Sequence, residues 1–194
     1  MMQPGPHDVL AFWFGTGGAT AVPRPEWFRK DPAFDESIRA RFGGLVEVAL
    51  RDAWDAAAWP DAPEARLARV VVLDQFPRNL YRGSPKSFAG DRRALELAQR
   101  MVDDGEDALL APLQRWFAYL PFEHAEDLAA QDRSVALFEA LAEDHADLAG
   151  ALDYAVRHRD VIRRFGRFPH RNEVLGRTSS PEELEFLRQP GSRF

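Results

Sequence analysis

The chain has 194 residues, of which 45% are hydrophobic and 29% are charged. This is enough apolar material for the core of one compact domain and too much for a disordered chain. Its 25 basic residues face 31 acidic ones, which leaves a net charge of −6 and disfavours a protein that binds nucleic-acid phosphates. The absence of cysteine excludes a disulfide scaffold, a thiolate metal site and a cysteine nucleophile.

The first residues show none of the features of a targeting signal. Met-Met-Gln-Pro-Gly-Pro contains no basic residue, and the apolar run from Val9 to Phe14 is shorter than a signal-peptide core or a membrane span. We therefore expect a soluble, cytoplasmic protein with no membrane partner, and we expect residues 1–194 to form a single domain.

The first helix is predicted over residues 31–57, with Asp31 as its N-cap and Pro32 at its first position. Gly43-Gly44 near its middle would let a neighbouring backbone approach closely. The adjacent aromatics Trp27-Phe28, just before this helix, are interpreted as a hydrophobic staple.

The second helix is predicted from Pro63 to Gln75. Its residues are apolar almost all round, so it should be the buried central helix of the fold. Pro77 is expected to end or kink it, because proline lacks the backbone N–H that a helix interior requires.

The second half of the chain predicts five more helices. No stretch of the sequence alternates like a β-strand, so the fold class is all-α, with antiparallel helical hairpins joined by short loops. The last helix is short and starts with the capping-box spacing from Ser180 to Glu183. The four before it are expected over residues 91–104, 109–118, 125–143 and 147–165.

Polar residues crowd the end of the apolar second helix. Asp74, Gln75, Arg78 and Asn79 follow directly on its buried face, and buried polar groups need hydrogen-bond partners. One interpretation is an internal network in which Asp74 pairs with Arg78 at i,i+4 and Asn79 caps the next turn. The other is a pocket whose walls these side chains form.

A single histidine, His124, lies among three carboxylates at a junction between a loop and a helix. Glu123, Glu126 and Asp127 suit a helix N-terminus, where negative charge is stabilised. Alternatively, His124 and Glu123 form an acid/base pair. A metal site is disfavoured, because no second ligand motif accompanies this cluster.

The segment 158–172 carries five arginines and two histidines in a protein that is acidic overall. Cations at the end of a helix are favoured by the helix dipole, which explains Arg163 and Arg164. It does not explain His170-Arg171-Asn172, which lie beyond Pro169. Arginine is the residue that binds carboxylate or phosphate bidentately, so this segment favours an anion site.

These motifs resemble a known family. The sequences LDQFPRNLYRG, YLPFEHAE and RFGRFPHRN, with VLAFWFG and WFRKDPAFD nearer the N-terminus, are similar to those of the bacterial family numbered 924 among the domains of unknown function. The resemblance covers nearly the whole chain. It implies an all-helical fold with hairpins stacked as in tetratricopeptide-like proteins. It implies no activity, so no catalytic residue follows from it.

Three interpretations of the polar segments stay open. In the first, they meet on a concave face and bind a small anionic molecule. His124 and Glu123 would then be the acid/base pair if the protein is an enzyme. The expected binding residues are Asp74, Gln75, Arg78, Asn79, Tyr119, Arg167, His170, Arg171 and Asn172.

In the second interpretation, the same face binds a peptide or the carboxyl terminus of a protein partner. The tryptophans would anchor it: Trp13, Trp27, Trp54, Trp59 and Trp116. In the third, the polar segments form a buried scaffold that fixes the helices. The sequence identifies no cofactor and no oligomeric state.

Overall fold

The computed structural model describes residues 3–16, 23–51 and 59–193. Throughout these ranges helices are the only regular elements, so the predicted all-α class is confirmed. A π-helical stretch, Val71–Gln75, joins α3 to α4 without a break. The α-helices are α1 (Pro6–Phe14), α2 (Pro32–Leu50), α3 (Pro63–Val70), α4 (Phe76–Leu80), α5 (Asp91–Asp103), α6 (Pro112–Glu123), α7 (Leu128–Asp144), α8 (Ala149–Phe165) and α9 (Pro181–Phe186).

Consecutive helices α6, α7 and α8 pack against one another as helical hairpins. Their stacking in the manner of tetratricopeptide repeats stays a prediction. None of the helices in the described ranges combines the length and the apolar character needed to cross a bilayer.

The predicted helix caps are present. The Asp31 side chain accepts hydrogen bonds from the backbone of Ala33 and Phe34, both at 3.0 Å, and α9 opens with the capping box of Ser180 and Glu183. Helix α2 ends at Leu50. The rest of its predicted length, residues 52–58, lies outside the described residues.

Pro77, which the sequence predicts to end or kink its helix, and Pro121 both lie inside helical segments. Pro77 leaves the Leu73 carbonyl without its usual N–H partner, and the backbone widens just before it, where the Phe76 N–H bonds to the Val71 carbonyl five residues back. Pro121 is buried within α6, which continues to Glu123 instead of ending at residue 118. There the proline removes only one bond, near the helix end.

The close backbone approach occurs at Gly90 and not at the predicted Gly43-Gly44. A Cβ on Gly90 would lie 2.0 Å from the Leu73 carbonyl oxygen, so only glycine fits there. At Gly44 an added Cβ would meet no described atom within 4 Å. The carbonyl freed by Pro77 therefore faces the backbone that starts α5, and this contact sets the position of Asp91.

Helix α1, which was not predicted from the sequence, contributes Val9, Trp13 and Phe14 to the main hydrophobic core. Its Trp13 is fully buried and packs against Phe76 and Phe117, each with a ring-centroid distance of 5.6 Å. Trp27 stacks on Trp13 at 5.9 Å and donates a hydrogen bond to its carbonyl at 3.2 Å. The expected staple is therefore wrong, because Trp27 joins α1 to α6 in the core.

The described tryptophans are poorly placed to serve as the peptide anchors that the second interpretation requires. Trp13, Trp27 and Trp59 are buried, and Trp116 is half-buried under the exposed Phe28, at 5.3 Å. Trp54 lies outside the described residues. The side chains expected to bind a peptide mostly stabilise the core instead.

Candidate functional site

A buried polar centre lies where the π-helical stretch meets the end of α6. We call it the buried centre. At its middle, the fully buried Asp74 accepts a hydrogen bond from His124 Nδ1 at 2.8 Å through Oδ1, and its other oxygen accepts one from Gln75. The buried centre consists of Asp74, Gln75, Arg78, Asp91, Glu123, His124, His158 and Arg171.

The predicted pair of Asp74 and Arg78 is present, with an N–O distance of 3.2 Å. Burial by itself would raise the pKa of the Asp74 carboxyl, but the charge of Arg78 and the interactions with His124 outweigh it and hold the pKa below its usual range. Asp74 is therefore a buried anion at neutral pH.

Two arginines and a second aspartate complete the charges of the buried centre. Arg78 binds both oxygens of Asp91, at 2.8 and 3.0 Å, and Arg171 approaches Asp91 at 3.3 Å. Arg171 also donates to the His124 carbonyl at 3.0 Å, and its guanidinium lies over the ring of Phe88 at 4.6 Å. Two aspartates thus balance two arginines.

Glu123 lies beside this group with almost no hydrogen-bond donors. Its Oε1 is 3.2 Å from His158 Nδ1, and its buried Oε2 has no hydrogen-bond partner among the described residues. Burial and the nearby charge of Asp74 raise the pKa of Glu123 to about 8. Its carboxyl is consequently protonated at neutral pH.

The two histidines of the buried centre are neutral. Burial lowers the pKa of His158 to about 3, and its Nδ1 donates to the Tyr154 carbonyl at 2.8 Å. For His124, burial and the charge of Arg78 lower the pKa below its usual value, against the opposing effect of Asp74. The side chain of His124 keeps 14% of its surface exposed.

Two predicted site residues lie elsewhere. Asn79 donates to Asp35 at 2.7 Å and so ties α4 to α2, which corrects its expected role as a cap. Tyr119 donates to Asp107 at 2.5 Å and is fully buried. Neither side chain contacts the buried centre through a described hydrogen bond, because each faces a different neighbouring element.

Three other predicted residues fall into two groups near the end of the chain. The first group, which we call the C-terminal network, consists of Glu126, Arg167, Asn172, Arg177 and Glu183. Arg167 binds both oxygens of Glu183, at 2.7 and 2.9 Å. The fully buried Asn172 donates to the same carboxylate at 3.2 Å and accepts from Arg177 at 2.9 Å.

From the sequence, Glu183 was expected to act only as part of the capping box of the last helix. Its carboxylate also accepts the Ser180 backbone N–H at 2.7 Å. The hydrogen bonds from Arg167, together with those from Ser180 and Asn172, lower the pKa of Glu183 to about 2 in spite of its burial.

His170 belongs to the second group, a surface cavity of about 550 Å³ between α9 and the segment after α8. We call it the basic cavity. Burial and the nearby charge of Arg171 lower the pKa of His170 to about 3, so its ring is neutral. The charged and titratable lining residues are His170, Glu173, Arg177, Arg188 and Arg193, and its apolar wall includes Leu184 and Leu187.

No group of three or more histidine or carboxylate side chains in the described ranges is arranged to hold a metal ion. The polar segments meet in two regions of the fold. One is the buried centre, and the other contains the C-terminal network and the basic cavity, which share Arg177. The buried centre collects Asp74, Gln75, Arg78, Glu123, His124 and Arg171, while the C-terminal network and the basic cavity collect Arg167, Asn172 and His170. Asp91, His158, Arg177 and Glu183 complete these clusters across the fold.

A sequence model for a family of bacterial proteins of unknown function, DUF924, matches residues 9–191. The chain belongs to this family. It is also similar to the solved structure of a protein of unknown function from Agrobacterium tumefaciens, with 39% identity and a TM-score of 0.80 over 94% of this chain and 96% of the other. A search of curated proteins gives no match. The resemblance noted from the motifs is confirmed, and the function rests on the site itself.

Proposed function

We propose that this protein binds a small organic anion in the basic cavity, and that it does so in the cytoplasm, which the lack of cysteine favours. The observation that carries the proposal is the charge of the lining: three arginines against one glutamate, in a chain whose net charge is −6. Two of these arginines are paired with carboxylates outside the lining, and the third, Arg193, has no ion pair among the described residues. A guanidinium group in that state favours a carboxylate or a phosphate.

Arg193 is the cation we expect to bind the ligand most directly. Arg177 already binds both oxygens of Glu126, at 2.6 and 2.9 Å, and Arg188 binds Glu185 at 2.7 Å. Arg193 is exposed and lines the cavity beside the neutral ring of His170, whose N–H suits a hydrogen bond to an anionic oxygen.

The leucines of the cavity favour an anion that also has an apolar part. Leu184 and Leu187 lie on the same wall as Arg188, and small-molecule sites combine apolar lining with a few polar groups. A short-chain carboxylate meets both requirements, whereas inorganic phosphate meets only the first.

Calorimetric titration with hexanoate, with hexanol and inorganic phosphate for comparison, tests the proposal. We expect hexanoate to bind and hexanol not to bind. Arg193→Ala should weaken hexanoate binding about tenfold, the effect of one lost charged hydrogen bond. The matched control is Arg163→Ala, which removes an exposed arginine on α8 and should leave the affinity unchanged. Equal affinities for hexanoate and hexanol would overturn the proposal.

A peptide carboxyl terminus offers the same chemistry and is the second candidate. A short peptide with a free terminal carboxylate and its amidated form distinguish the two ligands. Binding of the free peptide with no binding of hexanoate would favour the peptide-interaction role over the small-molecule one.

A further inference from the structure

His124 is held in the way that a general base is held. Its Nδ1 donates to Asp74 at 2.8 Å, and Asp74 is itself fixed by the charge of Arg78, at 3.2 Å, and by the Gln75 amide. A carboxylate on Nδ1 sets the tautomer, so the lone pair is on Nε2. Arg171 fixes the backbone of the same residue through the His124 carbonyl.

Part of the buried centre is accessible to solvent. Asp74 has no accessible side-chain surface, whereas 14% of His124, 20% of Arg78 and 18% of Asp91 is accessible. Because Nδ1 is occupied by Asp74, Nε2 is the ring nitrogen that a molecule arriving from solvent can approach. Arg78 is a largely buried cation of the same centre, with 20% of its side chain accessible.

The charges of the buried centre define the class of substrate. Asp74 and Asp91 balance Arg78 and Arg171, and each arginine already contacts a carboxylate. An anion would find no unbalanced cation here, in contrast to the basic cavity. An uncharged molecule fits this electrostatic balance better.

We propose that the buried centre is a hydrolytic site for an uncharged ester, with His124 as the general base and Asp74 as the residue that positions it. His124 Nε2 takes a proton from water while the water oxygen forms a bond to the ester carbonyl carbon. The carbonyl electron pair moves to its oxygen as the tetrahedral carbon forms. When the tetrahedral carbon releases the alkoxide, the alkoxide takes the proton from His124, and the products are an acid and an alcohol.

The substrate probe is p-nitrophenyl acetate, an uncharged activated ester, with the full chain as the enzyme. His124→Gln should lower the second-order rate constant about tenfold or more, the range of general-base effects. Asp74→Asn should lower it in the same direction. The matched control is His7→Gln, which replaces an exposed histidine and should leave the rate unchanged. Equal rates for the wild type and His124→Gln would overturn the proposal.

The pH profile separates this role from a structural one. Asp74, Arg78 and Asp91 act on the pKa of His124, which lies below the usual value chiefly because of burial. We therefore expect hydrolysis to persist to a lower pH than catalysis by free imidazole does. A profile that matches free imidazole would contradict the assignment.

A second measurement applies if the variants at positions 74 and 124 fail to fold. Diethyl pyrocarbonate acylates an accessible imidazole nitrogen, and mass spectrometry locates the product. In the wild type we expect His124 to react faster than His158, whose side chain is only 6% exposed. Equal resistance of both histidines would show that the site is closed and would overturn the proposal. None of these results depends on whether the basic cavity binds an anion.

Discussion

Two buried glutamates, Glu123 in the buried centre and Glu183 in the C-terminal network, are almost equally shielded from solvent, with 4% and 3% exposed. The pKa of Glu123 is raised to about 8, whereas the pKa of Glu183 is lowered to about 2. Burial opposes the charge of both carboxyl groups: at Glu123 it is the largest cause of the raised pKa, whereas at Glu183 the hydrogen bond from Arg167 outweighs it.

The two carboxyl groups differ in the donors around them, which oppose burial at Glu183 and are lacking at Glu123. Glu183 accepts bonds from Arg167, from Asn172 and from the Ser180 backbone. Among the described residues, Glu123 has His158 Nδ1 at 3.2 Å, whose N–H is directed to the Tyr154 carbonyl, and it faces the anion of Asp74. The C-terminal network is thus built to hold a charge. The buried centre holds Asp74 charged and keeps its neighbour Glu123 neutral.

The largest effect is expected at Asp74, since its anion holds both Arg78 and His124. Asp74→Asn should lower the free energy of unfolding by about 3–5 kcal/mol, because it leaves a buried arginine short of a partner. Urea denaturation measures the change. Asp103→Asn, which breaks an exposed pair with Arg133, is the control and should change it by less than about 1 kcal/mol. Similar losses in both variants would show that the buried centre adds no special stability.

The second-largest effect is expected at Gly90, whose close contact with the Leu73 carbonyl positions Asp91. Gly90→Ala places a Cβ 2.0 Å from the Leu73 carbonyl oxygen and should destabilise the protein by about 3 kcal/mol. Gly44→Ala fills open space within α2 and should stabilise it by up to about 1 kcal/mol. Thermal denaturation of both variants checks the contrast, and a tolerated Gly90→Ala would contradict the contact.

Glu123→Gln tests whether the carboxyl group of Glu123 is protonated at neutral pH. The pKa of Glu123 is higher in the folded protein than the ordinary value of 4.5, which applies to the unfolded chain. The contribution of Glu123 to the free energy of unfolding is therefore complete below pH 4.5 and is lost as pH rises towards about 8. The variant does not titrate, so it should match the wild type near pH 4.5 and exceed its stability by about 3 kcal/mol at pH 7. Urea denaturation at both pH values measures this difference. A loss of stability that does not depend on pH would argue against a protonated Glu123.

Glu183→Gln should show the opposite dependence on pH. The folded pKa of Glu183 is lowered, so its contribution is present above the ordinary value of 4.5 and is lost as pH falls towards about 2. At pH 7 we expect a loss of about 1 kcal/mol, because Arg167 is one-third exposed and solvent weakens the pair. The difference in free energy of unfolding between the wild type and Glu183→Gln should become smaller in acid, and urea denaturation measures it. A difference that becomes larger there would contradict an ionised Glu183.

The local features of this fold could be predicted from the sequence. The caps at Asp31 and Ser180 and the pair of Asp74 and Arg78 depend on residues a few positions apart, where spacing alone determines contact. Helix α1 was missed because nine mostly apolar residues resemble a buried run more than an amphipathic helix.

The long-range features could not be predicted in the same way. Asp91 meets Arg171 across 80 residues and Arg177 meets Glu126 across 51, and no spacing rule brings such positions together. The capping box identified Glu183 as a local cap. That its carboxylate also binds Arg167 depends on how α9 packs against the segment after α8.

The opposite charge states of Glu123 and Glu183 are tested most directly by NMR titration of the two side-chain carboxyl carbons in the wild-type protein. We predict that Glu123 changes its chemical shift near pH 8 and that Glu183 stays ionised down to about pH 2 or to the onset of acid unfolding. If both carboxyl groups titrate near their ordinary pKa of 4.5, the raised pKa of Glu123 and the lowered pKa of Glu183 are both contradicted.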